Sequence, residues 1–141
     1  MSCFVFRSQQ LGCLLAILFL AGCGDTGPKT YKIPGKLVYE DGTPVPAASV
    51  VFQTTLDGQV IPARGVSTPE GQFELTTFND GDGVVAGEHD VAISPVPAPE
   101  GAKPVQPPVP SKYGDFANSG LRTSVTPETK EIVITIDRLG K

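Results

Sequence analysis

The chain has 141 residues, with 11 Lys and Arg against 15 Asp and Glu for a formal net charge of −4, and it contains three cysteines, one histidine and no tryptophan. That length accommodates one modest hydrophobic core. Mild acidity spread along the chain excludes the basic footprint of a nucleic-acid binder and any polybasic membrane patch, and its role is solubility.

Arg7 is the only charge before Asp25, and Leu11–Ala21 is an apolar run of signal-peptide length, too short for a comfortable membrane span. The run closes on Leu20-Ala21-Gly22-Cys23, which resembles the lipobox of bacterial lipoprotein signal peptides: Leu, two small residues, then a cysteine. The resemblance implies that residues 1–22 are a lipoprotein signal peptide. The Cys23 thiol would take a diacylglyceryl group, and cleavage before it, with palmitate among the final acyl chains, would leave Cys23 as the mature N-terminus. Cys3 and Cys13 would leave with the leader, so the exported domain would have no internal disulfide. No second apolar stretch approaches a span, and attachment to the membrane would rest on lipid, where several chains hold firmly. The expected address is the cell envelope, outside the cytoplasm. Residues 23–32, with the run GDTGPKTYK from Gly24, read as a tether between lipid and domain.

Nothing after Cys23 shows helical periodicity, and Gly and Pro recur too often for a long helix. Short alternating or β-branched runs recur instead. Ile33–Tyr39 is the first, with Ile33, Leu37 and Tyr39 on one face; Ala48–Thr54 is the second, with Ala48, Val50 and Phe52 inward. Gln59–Ser67 is weaker, and Pro62 within it predicts a sheet edge. Gln72–Thr76 turns Phe73 and Leu75 inward, and Glu88–Ser94 does the same with His89, Val91 and Ile93. Leu121–Thr126 and Glu131–Asp137 follow, the latter with Ile132, Ile134 and Ile136 on one β face. Seven strands bounded by turn residues predict an all-β sandwich over residues 33–141.

Between the fifth and sixth strands, seven of the sixteen residues from Pro95 to Pro110 are proline. Such a segment forbids helix and central strand and reads as a semi-rigid crossover, with Tyr113, Phe116 and Leu121 pinning its far end to the domain.

Three ordered motifs now resemble carboxypeptidase regulatory-like domains of the transthyretin or prealbumin type. They are Ile33-x-Gly35-x-Leu37 with Asp41-Gly42-x-Pro44-Val45-Pro46-x-Ala48-x-Val50-x-Phe52, then Ser67-Thr68-x-x-Gly71-x-Phe73-x-Leu75, then Gly87-x-His89-x-Val91-x-Ile93. Histidine takes a place often held by tyrosine in the third. The proline-rich loop with Pro110-Ser-Lys-Tyr113 and Ser119-Gly-Leu121 is similar to small lipoproteins of planctomycete-type bacteria. The resemblance implies an all-β, seven-stranded prealbumin- or immunoglobulin-like β-sandwich and carries no catalytic chemistry. The 5-hydroxyisourate hydrolases of transthyretin type use several histidines and a C-terminal Tyr-Arg-Gly-Ser, whereas this chain has one histidine and ends Arg138-Leu-Gly-Lys141. In carboxypeptidases the same domain is an accessory beside a zinc domain that has no counterpart here.

His89 shares a face with Val91 and Ile93 and is expected at the core boundary, bonded to a turn carbonyl; alone it cannot build a conventional zinc site. Asn79-Asp80-Gly81-Asp82-Gly83 gathers oxygen ligands that could wrap calcium at Asn79, Asp80 and Asp82, but it lacks the closing bidentate glutamate of an EF-hand. The same residues suit a plain turn, and no cofactor is expected. No G-x-S-x-G elbow is present. The sequence thus favours a non-enzymatic structural or protein-binding module on a lipid anchor, its partner an envelope protein or a glycan. The alternative is a calcium-assisted carbohydrate-binding or adhesion module, for which Tyr31 and Tyr113 would be the available stacking faces.

Overall fold

The computed structural model describes residues 27–102 and 109–139; the stretch read as a signal peptide, Cys23 and the middle of the proline-rich segment lie outside the described residues. Nine strands stand among those described: β1 Thr30–Tyr31, β2 Gly35–Tyr39, β3 Ala48–Leu56, β4 Gln59–Val66, β5 Gln72–Phe73, β6 Val84–Val85, β7 Gly87–Pro95, β8 Leu121–Val125 and β9 Ile132–Ile136. Each of the seven expected runs contains a strand. The two additions, β1 and β6, have two residues each, too few for alternation to signal them. They pair antiparallel, Thr30 opposite Val85 and Tyr31 opposite Val84, so the first described strand lies inside the segment read as tether.

Two larger sheets form the sandwich. One runs β4-β3-β7-β8 and the other β5-β2-β9, with β2 and β9 parallel from Gly35–Ile132 to Tyr39–Ile136 and all other pairs antiparallel. Pro62 lies in β4, an edge strand as expected, where a missing N–H does not interrupt a central ladder. The alternating residues of both sheets meet inside: Leu37, Val50, Phe52, Phe73, Val91, Ile93, Ile134 and Ile136 are all buried in one cluster. Phe52 and Phe73 meet edge to face, centroids 6.2 Å apart, a geometry favoured by ring quadrupoles. The Phe73 ring lies so close over Gly35 that a Cβ there would stand 2.1 Å from it.

The two open sides of the sandwich are closed differently. On the β4–β5 side the chain leaves β5 and changes sheet: Arg64 and Thr76 exchange both backbone hydrogen bonds, at 2.9 and 2.8 Å. That crossing requires Gly65, since a Cβ there would stand 2.3 Å from the Glu74 carbonyl oxygen. On the opposite side the crossover ends in a 3₁₀ turn, Ser111–Gly114, and a four-residue helix α1, Phe116–Ser119. Asp115 caps α1 by accepting from the Ala117 N–H at 2.9 Å, and Gly120 stops it with a positive φ of 63°. A single turn of this length has no apolar stripe, which is why sequence periodicity is silent about it. Val109 and Tyr113 are buried in the core, and the Tyr113 hydroxyl accepts the Asp137 N–H at 3.1 Å, pinning the crossover to the end of β9. Lys112 pairs with Asp137 beside it.

Candidate functional site

The acidic loop joins β5 to β6 and is built around one side chain. Asp82 Oδ1 accepts the Thr77 N–H at 2.8 Å, and Oδ2 accepts those of Phe78 and Asn79, both at 3.0 Å. Two threonines complete the turn: Thr77 Oγ1 donates to the Gly83 carbonyl at 2.6 Å, and Thr76 Oγ1 accepts the Gly81 N–H at 3.0 Å. Partial burial pushes the Asp82 carboxyl up, but the N–H groups of Thr77, Asn79 and Phe78 outweigh it and hold the group below the usual carboxylate range. Gly83 seats the loop on β1. Its φ is +98°, and a Cβ would stand 2.0 Å from the Tyr31 carbonyl oxygen, so only glycine fits.

This geometry separates the calcium candidates. Asp82 turns back into the loop and uses both oxygens on backbone donors, whereas Asn79 and Asp80 are exposed. A dication would have to compete with three N–H groups for the Asp82 carboxylate. Among the described residues no group of three or more His, Cys, Asp and Glu side chains comes together. The local signal is an aspartate placed three to five residues after backbone donors that no strand uses, a pattern that suits a cap better than an ion.

His89 is not at the boundary. It is 1 % exposed, with Phe52 5.7 Å away between ring centroids. Its Nε2–H donates to the Val85 carbonyl at 2.9 Å, while Nδ1 is buried without a partner among the described residues. The Val85 carbonyl accepts only, so Nε2 carries a proton, and the burial of Nδ1 favours the neutral ring. The carbonyl partner agrees with expectation; the depth does not, because the ring packs inward against Phe52 of β3. Burial, the largest influence, pushes the imidazole below its ordinary value despite the Val85 hydrogen bond and the charges of Glu88 and Asp90. The only imidazole of the chain therefore activates no surface hydroxyl.

The aromatic side chains also differ from expectation. Tyr113 is 4 % exposed and offers no stacking face, because its ring fills the side of the sandwich. Tyr31 is half-buried, with the Lys29 ammonium 5.3 Å above its ring. Tyr39 is buried beneath the Arg138 guanidinium, 4.2 Å from its centroid; desolvation raises its hydroxyl above the ordinary value. Phe78, at the tip of the acidic loop, is 52 % exposed, and sequence alternation says nothing of it because it belongs to no strand.

A cleft of about 410 Å³ lies along the β4–β5 side, between Pro34, Val66, Thr68, Gln72, Glu74 and Glu131. A second, of about 260 Å³, separates Lys32 and Pro34 from Glu74, Gly81 and Gly83 at the base of the acidic loop. Neither contains Asn79, Asp80 or Asp82. Among the described residues no helix is long and apolar enough to cross a membrane. No family model, curated protein or solved structure matches the chain.

Proposed function

We propose that this chain is a cell-envelope lipoprotein whose β-sandwich, tethered through lipid on Cys23, acts as a non-enzymatic structural or protein-binding module. The observation that carries the reading is the order of the N-terminal sequence: one basic residue, an apolar run of signal-peptide length, then Leu20-Ala21-Gly22-Cys23, with the first described strand at Thr30. A few residues between lipid and first strand give a short tether that presents the domain close to the bilayer. The non-enzymatic part rests on the buried histidine, whose ring nitrogen bonds a backbone carbonyl. It rests also on the Asp82 carboxylate, which is held by backbone donors. Kinship with carboxypeptidase regulatory-like domains is part of the same proposal and rests on the three ordered motifs.

Cys23→Ser tests it. The variant is expected to leave the membrane fraction or accumulate as an uncleaved precursor, whereas the wild type partitions into the detergent phase. A variant that fractionates like the wild type contradicts the anchor.

A further inference from the structure

We infer that His89 is an acid-sensitive clasp that holds the first strand of the domain, and that its protonation opens β6 and releases β1. The clasp stands on the fold alone and holds whether or not Cys23 carries lipid.

His89 is the first inward-facing residue of β7 after Gly87, and it reaches back across the Ala86 corner to the carbonyl of Val85. Val85 is one half of a ladder whose other half is Thr30, and Val84 pairs with Tyr31. Among the described residues those two pairs are the strand pairing that joins β1 to the domain, so its place as a strand depends on β6 staying where it is.

A proton on Nδ1 has nowhere to go inside. The neutral ring leaves Nδ1 as an unpartnered acceptor; the protonated ring would bury a charge and a donor with no acceptor. The groups around it offer no relief. Phe52 of β3 lies against the ring, Thr123 of β8 stands opposite His89 and Val85 of β6 takes its hydrogen bond, and none of these is charged. The nearest charges, Glu88 and Asp90, lie on its own strand, and Asp90 is paired with Arg122 of β8 at 2.9 Å. From the segments that cover β7, Lys112 is committed to Asp137 and Asp115 to the α1 cap. Lys29, just before β1, sits over the Tyr31 ring. The charged ring must therefore reach water, and leaving the core withdraws the Nε2–H from Val85.

The sign follows from linkage. Below about pH 6.5 the opened form takes up a proton that the closed form refuses, so opening becomes more favourable by about tenfold per pH unit. Release of β1 adds its residues to whatever precedes them, lengthening any tether by about 3.3–3.6 Å per residue.

Amide hydrogen exchange on the full chain between pH 7.5 and 5 reads this directly, as protection corrected for intrinsic exchange. Protection of the hydrogen-bonded amides of the β1–β6 ladder is expected to fall about tenfold per pH unit below pH 6.5, while Val50 and Phe52 of β3 keep theirs. His89→Gln retains an N–H donor and cannot be protonated, so the pH dependence is expected to vanish in it. A nuclear magnetic resonance titration of the wild-type imidazole tests the same point without a variant. A ring that titrates at the ordinary histidine value in the folded protein overturns the clasp. So does pH-independent protection at β1 and β6, or a loss shared equally by β3.

Discussion

The acidic loop Thr76–Gly83 and the crossover Pro95–Gly120 use their side chains in opposite ways. The loop collects carboxylates and an amide as a ligand site would, yet its central carboxylate satisfies three backbone N–H groups of its own turn. The crossover turns its side chains outward from its own backbone, delivering Val109 and Tyr113 into the core and a phenol to the end of β9. The difference is one of who satisfies whom. A loop between two short strands must find partners for its own backbone, and Asp82 is the nearest source. A proline-rich segment has few N–H groups to satisfy and can present side chains instead.

The largest effect that would break this comparison is at Tyr113. Tyr113→Ala is expected to cost about 3–5 kcal/mol in chemical denaturation, the range for emptying a buried aromatic site. Tyr113→Phe is expected to cost only about 1 kcal/mol, the worth of the hydrogen bond to Asp137. Equal costs would mean that the crossover is held by the bond and not by packing. Gly83→Ala comes next, at about 1–3 kcal/mol, because the new methyl meets the Tyr31 carbonyl on a backbone of positive φ. A neutral result would detach the acidic loop from β1. Asp82→Ala is expected to cost about 1 kcal/mol, as losing a backbone cap does. Its pH signature is specific: the folded-state carboxyl lies below the ordinary value, so its stabilisation is full above about pH 4 and fades as pH falls through the folded value. Acid melts of wild type and Asp82→Ala should therefore converge at low pH, and a constant gap would refute the cap.

Much of the sandwich is legible in the sequence, and the reasons are local. Phe52, Phe73, Val91, Ile93 and the Ile132-Ile134-Ile136 face alternate over enough residues for period two to be plain, and Pro62 marks its own edge. Tyr113 is legible as an anchor because it follows the prolines as a rare apolar ring. The rest depends on contacts distant in sequence. Gly65 looks like a weak point in a strand, and only the arrival of Glu74 against it explains the glycine. Val84-Val85 is too short to declare itself, and without Phe52 against the ring the depth of His89 is invisible. For the candidate site, the turn reading of Asn79–Gly83 is available from composition. The identity of Asp82 as its hub is not, since that depends on which three N–H groups the fold leaves unpaired.

The smallest expected effect tests the account most directly, because it asks whether the acidic loop serves the fold or a ligand. Calcium added to the protein is predicted to leave the melting temperature unchanged. Binding at the loop would stabilise the native state by about 2.7 kcal/mol at a hundredfold excess over Kd, a shift of several degrees in a domain of this size. A calcium-dependent rise that disappears in the double variant Asp80→Asn/Asp82→Asn would contradict the account and make the loop a metal site.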